Sequence, residues 1–144
     1  MTRIPIVMSI AGSDSGGGAG IQADLKTIAA NGAYGTTVIT AVTAQNTLRV
    51  SDVKEMPIAL VESQIDAVMS DIGTDVVKTG MLASVEMILC VSRKIKQYDI
   101  AKFVLDPVMV ATSGDSLLGE DAVDSMKKVL IPLCTIVTPN GPEA

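Results

Sequence analysis

The segment Gly12-Ser13-Asp14-Ser15-Gly16-Gly17-Gly18-Ala19-Gly20 places five glycines in nine residues. It lies between a short apolar run and the first residue of a helical apolar stripe. Backbone N–H groups left uncovered by glycine can face a ligand there, beside a helix N-terminus whose dipole favours negative charge. Ordering so many glycines costs backbone entropy, and a simple turn does not need it. The segment is not a Walker A loop, because no Gly-Lys-Ser/Thr follows, and its spacing fits a dinucleotide fingerprint poorly. Gln22 and Asp24 come next, in the first turns of the helix. There Asp24 either complements the dipole or turns toward a ligand.

Further along, Thr43-Ala44-Gln45-Asn46-Thr47 offers a glutamine amide, a donor and an acceptor side by side. That pattern pairs with an aminopyrimidine edge as glutamine pairs with adenine, although a polar pair that stabilises a turn has the same composition. In Lys78-Thr79-Gly80-Met81, Gly80 permits close approach of a ligand and Met81 supplies an adaptable apolar wall or core filler. Asp106-Pro107-Val108-Met109 sets a carboxylate at the end of an apolar strand, where a charge needs a cation, a phosphate-bound metal or a hydrogen-bond network. The loop Ala111-Thr112-Ser113-Gly114-Asp115 either folds over a ligand or is a solvated connection. Asn140 and Glu143, three residues apart in Thr138-Pro139-Asn140-Gly141-Pro142-Glu143, offer hard oxygen donors suited to Mg²⁺ and its waters. A Pro-Gly turn explains that last segment equally well.

The elements that must carry these residues alternate. Ile4 to Ile10, Tyr34 to Val42, Asp75 to Met81, Lys102 to Val108 and Thr135 to Thr138 read as strands, with a short edge strand between Thr47 and Met56. Ile21, Leu25 and Ile28 mark one helix, which Asn31-Gly32 stops in a left-handed turn. A second begins at Pro57 and carries Ile58, Val61, Ile65, Val68 and Ile72. A third is capped by Ser84, with Glu86 near its positive end and Lys94 and Lys96 near its negative end. A fourth buries Val123, Met126, Val129 and Leu130. Strands and helices alternating in this way imply right-handed crossovers and a mostly parallel α/β sheet covered on both faces. Ligands bind such sheets where strands end, and the polar clusters all fall just after strand C-termini.

Composition narrows the remaining choices. At 144 residues, 48% hydrophobic and 19% charged, the chain has one domain's length and enough apolar surface for a core. Eleven basic against sixteen acidic residues give a charge of −5, with no basic block, so nucleic acid is not an expected partner. The apolar runs fall far below the ~20 residues of a membrane span. The two cysteines, Cys90 and Cys134, read as buried small hydrophobes, and with no secretory leader visible the expected location is the cytoplasm. There is no histidine, so acid–base chemistry within this stretch rests on Asp, Glu, Lys, Tyr or Cys.

Taken in order, the segments Ser9 to Asp24, Ala44 to Thr47, Lys78 to Leu82, Leu105 to Met109 and Thr138 to Asn140 resemble the hydroxymethylpyrimidine/phosphomethylpyrimidine kinases of thiamine biosynthesis. These belong to the ribokinase-like superfamily. The resemblance implies a ribokinase-like three-layer sandwich, incomplete at its C-terminus, with residues 1–144 as the N-terminal portion of one domain and no second domain. It implies ATP and Mg²⁺ as cofactors and transfer of the γ-phosphoryl of ATP to the hydroxymethyl group and then to the monophosphate. Position by position, it makes Gln45 the reader of the pyrimidine amino group and ring nitrogen, with Gly12, Asp24, Met81 and Val108 completing the pocket. It sets Asp106 and Asn140 toward the nucleotide phosphates and Glu143 toward the metal. Two departures stand out: the catalytic residue and its glycine-rich anion hole are expected beyond Ala144, and Gly141 replaces a larger residue. A homodimer is compatible with this reading. Alternatives are another ribokinase-like kinase such as a pyridoxal kinase, a non-catalytic pyrimidine-binding module, and, more distantly, a dinucleotide-dependent oxidoreductase.

Overall fold

The computed structural model describes residues 3–109 and 118–144; the expected Ala111 to Asp115 loop lies outside them. Six strands form one sheet in the order β3-β2-β1-β4-β5-β6. Their ranges are β1 Ile6–Asp14, β2 Tyr34–Gln45, β3 Val50–Glu55, β4 Val76–Thr79, β5 Phe103–Leu105 and β6 Ile136–Val137. Every pairing is parallel except β2 with β3, which is antiparallel. The helices are α1 Gly20–Ala30, α2 Ile58–Asp71, α3 Val85–Gln97 and α4 Glu120–Ser125. After α4 the chain widens into a π turn over Met126–Leu130 and tightens into a 3-10 turn over Ile131–Leu133.

The alternation of β1 separates the two faces of the sheet. Met8 and Ile10 join one apolar core with Val61 and Ile65 of α2, Met87, Ile88, Val91 and Ile95 of α3, and Met126 and Leu130 beyond α4. Ser9, between them, turns to the opposite face and donates a hydrogen bond to Asp24 of α1 at 2.6 Å. One face therefore carries α1 and the other carries α2, α3 and α4, as the reversal of crossover direction on either side of β1 requires. The chain leaves β1 toward β2 and leaves β4 toward β5, so the carboxyl ends of β1 and β4 flank the topological switch point, where open α/β sheets bind ligands.

The structure differs from the sequence expectations in several elements. First, β1 does not stop at Ile10 but runs to Asp14, and β2 continues to Gln45 rather than Val42. The reason is pairing: Ser13 and Asp14 lie against Val42 and Thr43, with a register shift at Gly12 that lets the ladder continue past it. Second, β4, β5 and β6 are shorter than the apolar runs, because only Val76–Thr79, Phe103–Leu105 and Ile136–Val137 pair. Third, Ser84 holds the N-cap position of α3 but does not cap it; its hydroxyl donates to Glu55 Oε2 at 3.1 Å. Fourth, Ile72 lies beyond the last turn of α2 and is exposed, and Cys134 is only half-buried, whereas Cys90 is buried. Gly32, at φ 74°, does take the left-handed conformation expected after α1.

Candidate functional site

At the carboxyl ends of β1, β2, β4 and β5 a cavity of about 290 Å³ opens, and Gly12, Asp24, Gln45, Met81, Asp106 and Val108 all lie on its wall. Asn140 and Glu143 do not. They form a separate knot after β6, in which Asn140 Oδ1 accepts the Glu143 N–H and Glu143 Oε2 accepts the Asn140 N–H, each at 3.0 Å. Glu143 Oε1 also accepts the Met109 N–H at 3.1 Å, tying this knot to the segment that carries Asp106 and Val108.

The cavity owes its shape to close backbone approach. β1 changes register at Gly12 and β2 changes register against β3 between Ala44 and Gln45, so both irregularities fall beside the cavity, where bulges re-aim side chains. A Cβ at Gly12 would lie 2.8 Å from the Met81 methyl carbon. Gly20 starts α1 at φ 57°, and a Cβ there would run into the Gly12 carbonyl oxygen.

The glycine-rich segment does not present its amides to a ligand as expected. Asp14, nearly buried, turns its carboxylate back into the loop and accepts the N–H groups of Gly16 at 2.7 Å, Gly18 at 2.9 Å and Ala19 at 2.8 Å. An internal anion therefore fills the place a phosphate would take. The loop's second task is to hold β2. Ser15 Oγ donates to the Gln45 carbonyl and accepts the Gln45 N–H, both at 2.7 Å, fixing the main chain of Gln45. Gln22 secures the strand end from the other side, accepting the Asp14 N–H at 2.8 Å and donating to Ser13 Oγ at 2.7 Å.

Asp24 does not serve the dipole of α1. Both its oxygens lie 3.1 Å from Lys78 Nζ, and Ser9 donates to one of them. Lys78 also reaches Asp106 Oδ2 at 3.3 Å, so a single ammonium bridges two carboxylates contributed by α1 and by the end of β5. The side chains are 24%, 18% and 33% exposed for Lys78, Asp24 and Asp106. This places the cluster at the cavity wall, neither in bulk water nor sealed in the core. Sequence reasoning missed Lys78 as a site residue. The signal was there: a charge in the otherwise apolar β4 needs a partner for the same reason as Asp106. Asp14 was likewise missed, because nothing local distinguishes a carboxylate that organises a glycine loop from one that faces solvent.

No histidine is present, and among the described residues no three acidic or cysteine side chains gather as a metal site. Asp106 and Glu143, whose segments are joined through Met109, are hard oxygen donors of the kind Mg²⁺ takes beside phosphate oxygens and water, but here Asp106 is paired with Lys78 and both Glu143 oxygens accept backbone N–H groups.

The mostly parallel α/β sheet with a polar-rimmed cavity at its switch point is the fold of ribokinase-like kinases. The chain belongs to the phosphomethylpyrimidine kinase family, whose model matches residues 14–144. A hydroxymethylpyrimidine/phosphomethylpyrimidine kinase of Rhizobium meliloti is 52% identical over 139 residues, covering 96% of this chain and 52% of that protein. The crystal structure of the Clostridium difficile phosphomethylpyrimidine kinase superimposes with a TM-score of 0.90 at 49% identity, over 98% of this chain and 61% of that one. The Staphylococcus aureus pyridoxal kinase in complex with pyridoxal gives a TM-score of 0.86 at 37% identity, over 96% of this chain and 51% of that one. The chain spans about half the length, or less, of the curated relatives it matches.

Proposed function

We propose that this chain supplies the acceptor-substrate pocket for ATP-dependent phosphorylation of 4-amino-5-hydroxymethyl-2-methylpyrimidine and of its monophosphate. The observation that carries this reading is convergence. Gln45, the Lys78 bridge and the apolar side chains Met81 and Val108 meet on one cavity of about 290 Å³, near the ~300 Å³ lower bound of small-molecule sites and suited to a single ring. In this reading Gln45 takes the amino edge of the heterocycle, and Met81 and Val108 cover its faces. Gly12 lets the ring approach the backbone.

Asp24, Lys78 and Asp106 then lie where the hydroxymethyl group enters. Phosphoryl transfer depends on in-line positioning and on neutralising developing charge, and these residues can orient the acceptor oxygen and balance charge near it. Asp106 and Asn140 would lie toward the nucleotide phosphates, and Glu143 would help hold Mg²⁺, which would supply charge neutralisation there. Residues supplying the remainder of the nucleotide site belong to the half of the family's length that this chain does not span. The two free cysteines fit a cytoplasmic enzyme.

Calorimetry tests the reading. The aminopyrimidine should bind the chain and Gln45→Ala should abolish that binding, while a full-length chain should add ATP turnover. Binding unchanged by Gln45→Ala would remove the role given to Gln45. The likeness to a pyridoxal kinase supports a second reading, and direct competition between pyridoxal and the aminopyrimidine separates the two.

A further inference from the structure

Thr43 lies in β2 two residues before Gln45 and is buried, 7% exposed. Its Oγ1 is 2.9 Å from the Ser13 carbonyl oxygen and 3.1 Å from the atom assigned as Gln45 Oε1. A hydroxyl carries one proton, whereas a carbonyl oxygen can only accept. Two oxygens 2.9 Å apart attract only with a proton between them, so the Thr43 proton belongs to the Ser13 carbonyl. The Thr43 oxygen is then left as an acceptor. Whatever Gln45 turns toward it must donate. The two ends of a glutamine amide are nearly isosteric, and which is nitrogen follows from the hydrogen-bond network.

We infer that the Gln45 amide is seated with Nε2 against Thr43, making Thr43 a positioning residue that sets the hydrogen-bond polarity Gln45 presents to the ligand. The main chain of Gln45 cannot shift to relieve the mismatch, because Ser15 holds both its N–H and its carbonyl. A half-turn of the amide gives the Thr43 oxygen a donor in place of a second acceptor. In that seat Oε1 and the second N–H are left for the cavity. An exocyclic amino group donating to Oε1, next to a ring nitrogen accepting the N–H, matches both groups. A 4-oxo pyrimidine with a protonated ring nitrogen reverses both and sets oxygen against oxygen and N–H against N–H. The selectivity part rests on the reading of Gln45 as the pyrimidine contact and extends it to a choice of aminopyrimidines over oxopyrimidines.

Two measurements on the 144-residue chain test it separately. In ¹⁵N-labelled protein without ligand, one Gln45 side-chain amide proton should exchange slowly with solvent in the wild type and in Thr43→Ser, and quickly in Thr43→Val. Fast exchange in the wild type, or equal exchange in the wild type and Thr43→Val, overturns the seating. Next, affinities are compared for 4-amino-5-hydroxymethyl-2-methylpyrimidine and its 4-oxo counterpart. Thr43→Val should cut the preference for the amino compound by about 10- to 100-fold, and Thr43→Ser should keep it, with melting curves confirming that both variants fold. A preference unchanged in Thr43→Val overturns the selectivity role. If the wild type binds neither pyrimidine, the pyrimidine reading of the cavity fails and the selectivity falls with it, while the exchange result still decides how the amide is seated.

Discussion

Lys78 and Lys94 each hold an aspartate at ion-pair distance, 3.1 Å to Asp24 and 2.7 Å to Asp66, but the two clusters are built differently. Lys94 joins α3 to α2 in a closed network: its ammonium reaches both Asp66 oxygens, and the Tyr98 hydroxyl donates to the same carboxylate at 2.6 Å. Below it lie Met8, Ile65 and Ile95, so the lysine stem covers the core while its head stays paired at the surface. Lys78 instead spans two carboxylates from different elements and opens onto the cavity. A group whose partners are all in place is a fastener. One held between two like charges at the edge of a cavity can still respond to a ligand, and this difference is what separates site from scaffold here.

The cavity rim depends on backbone proximity in a way the α2–α3 flank does not, and the largest expected effect comes from breaking it. Gly20→Ala would set a methyl against the Gly12 carbonyl at a positive φ and should cost about 2–4 kcal/mol of stability, with loss of ligand binding. Gly32→Ala is the control: its φ of 74° is equally unsuited to alanine but nothing lies within 4 Å, so about 1 kcal/mol is expected. Denaturant melts of the two variants make the comparison. Equal losses would show that strain at φ, not closeness of the rim, governs Gly20.

The second test contrasts ligands. Lys78→Met removes the one cation that pairs with Asp24 and Asp106 among the described residues, so an approaching phosphate meets two uncompensated carboxylates. With ~4 kcal/mol per charge pair at 4 Å and an effective dielectric near 20, even partial screening weakens binding of the phosphorylated pyrimidine by about 10- to 100-fold. The uncharged alcohol should lose much less. Calorimetry with both compounds decides, and an equal loss for the two would mean that Lys78 acts by shaping the cavity rather than by its charge.

Much of this arrangement was legible from residue types. The alternation of apolar runs and helical stripes specified the mostly parallel sheet, and the polar clusters after the strands marked Gly12, Gln45 and Asp106, which line one cavity. Strand limits were not legible, because pairing carries β1 through Gly12 to Asp14 in residues whose own preference is for a loop. Nor was the inward turn of the glycine segment: whether its amides face a ligand or Asp14 depends on the bulge at Gly12, a tertiary feature with no local signature. Lys94 was expected to complement the end of α3. It does lie in the last turn, yet its ammonium spans to α2, a contact 28 residues away in sequence.

The flank has its own, smaller tests. Lys94→Met keeps the apolar stem and deletes the head. Because Asp66 is 44% exposed and can be rehydrated, the loss should be about 1 kcal/mol, a fall of roughly 2–4 °C in melting temperature, with pyrimidine affinity unchanged. A change in affinity without a change in melting temperature would erase the distinction between the two lysines.

Titration of the same network sharpens that distinction further. Hydrogen bonds from Lys94 and then Tyr98 hold the Asp66 carboxyl below its ordinary value of 3.8, so the stabilisation is complete above that pH and is lost as pH falls through the lowered value. The bond to Asp66 raises the Lys94 ammonium above 10.5 and the Tyr98 hydroxyl above 10.0. Their share is intact below those ordinary values and is lost as pH rises through the raised ones. Wild type and Asp66→Asn should therefore differ most in melting temperature at neutral pH and converge toward both extremes. The gap should be no more than about 1 kcal/mol, since the carboxylate is well exposed to solvent. A gap that stayed constant from acid to alkaline pH would mean that Asp66 contributes by packing alone, and Lys94 would then no longer serve as the closed counterpart of Lys78.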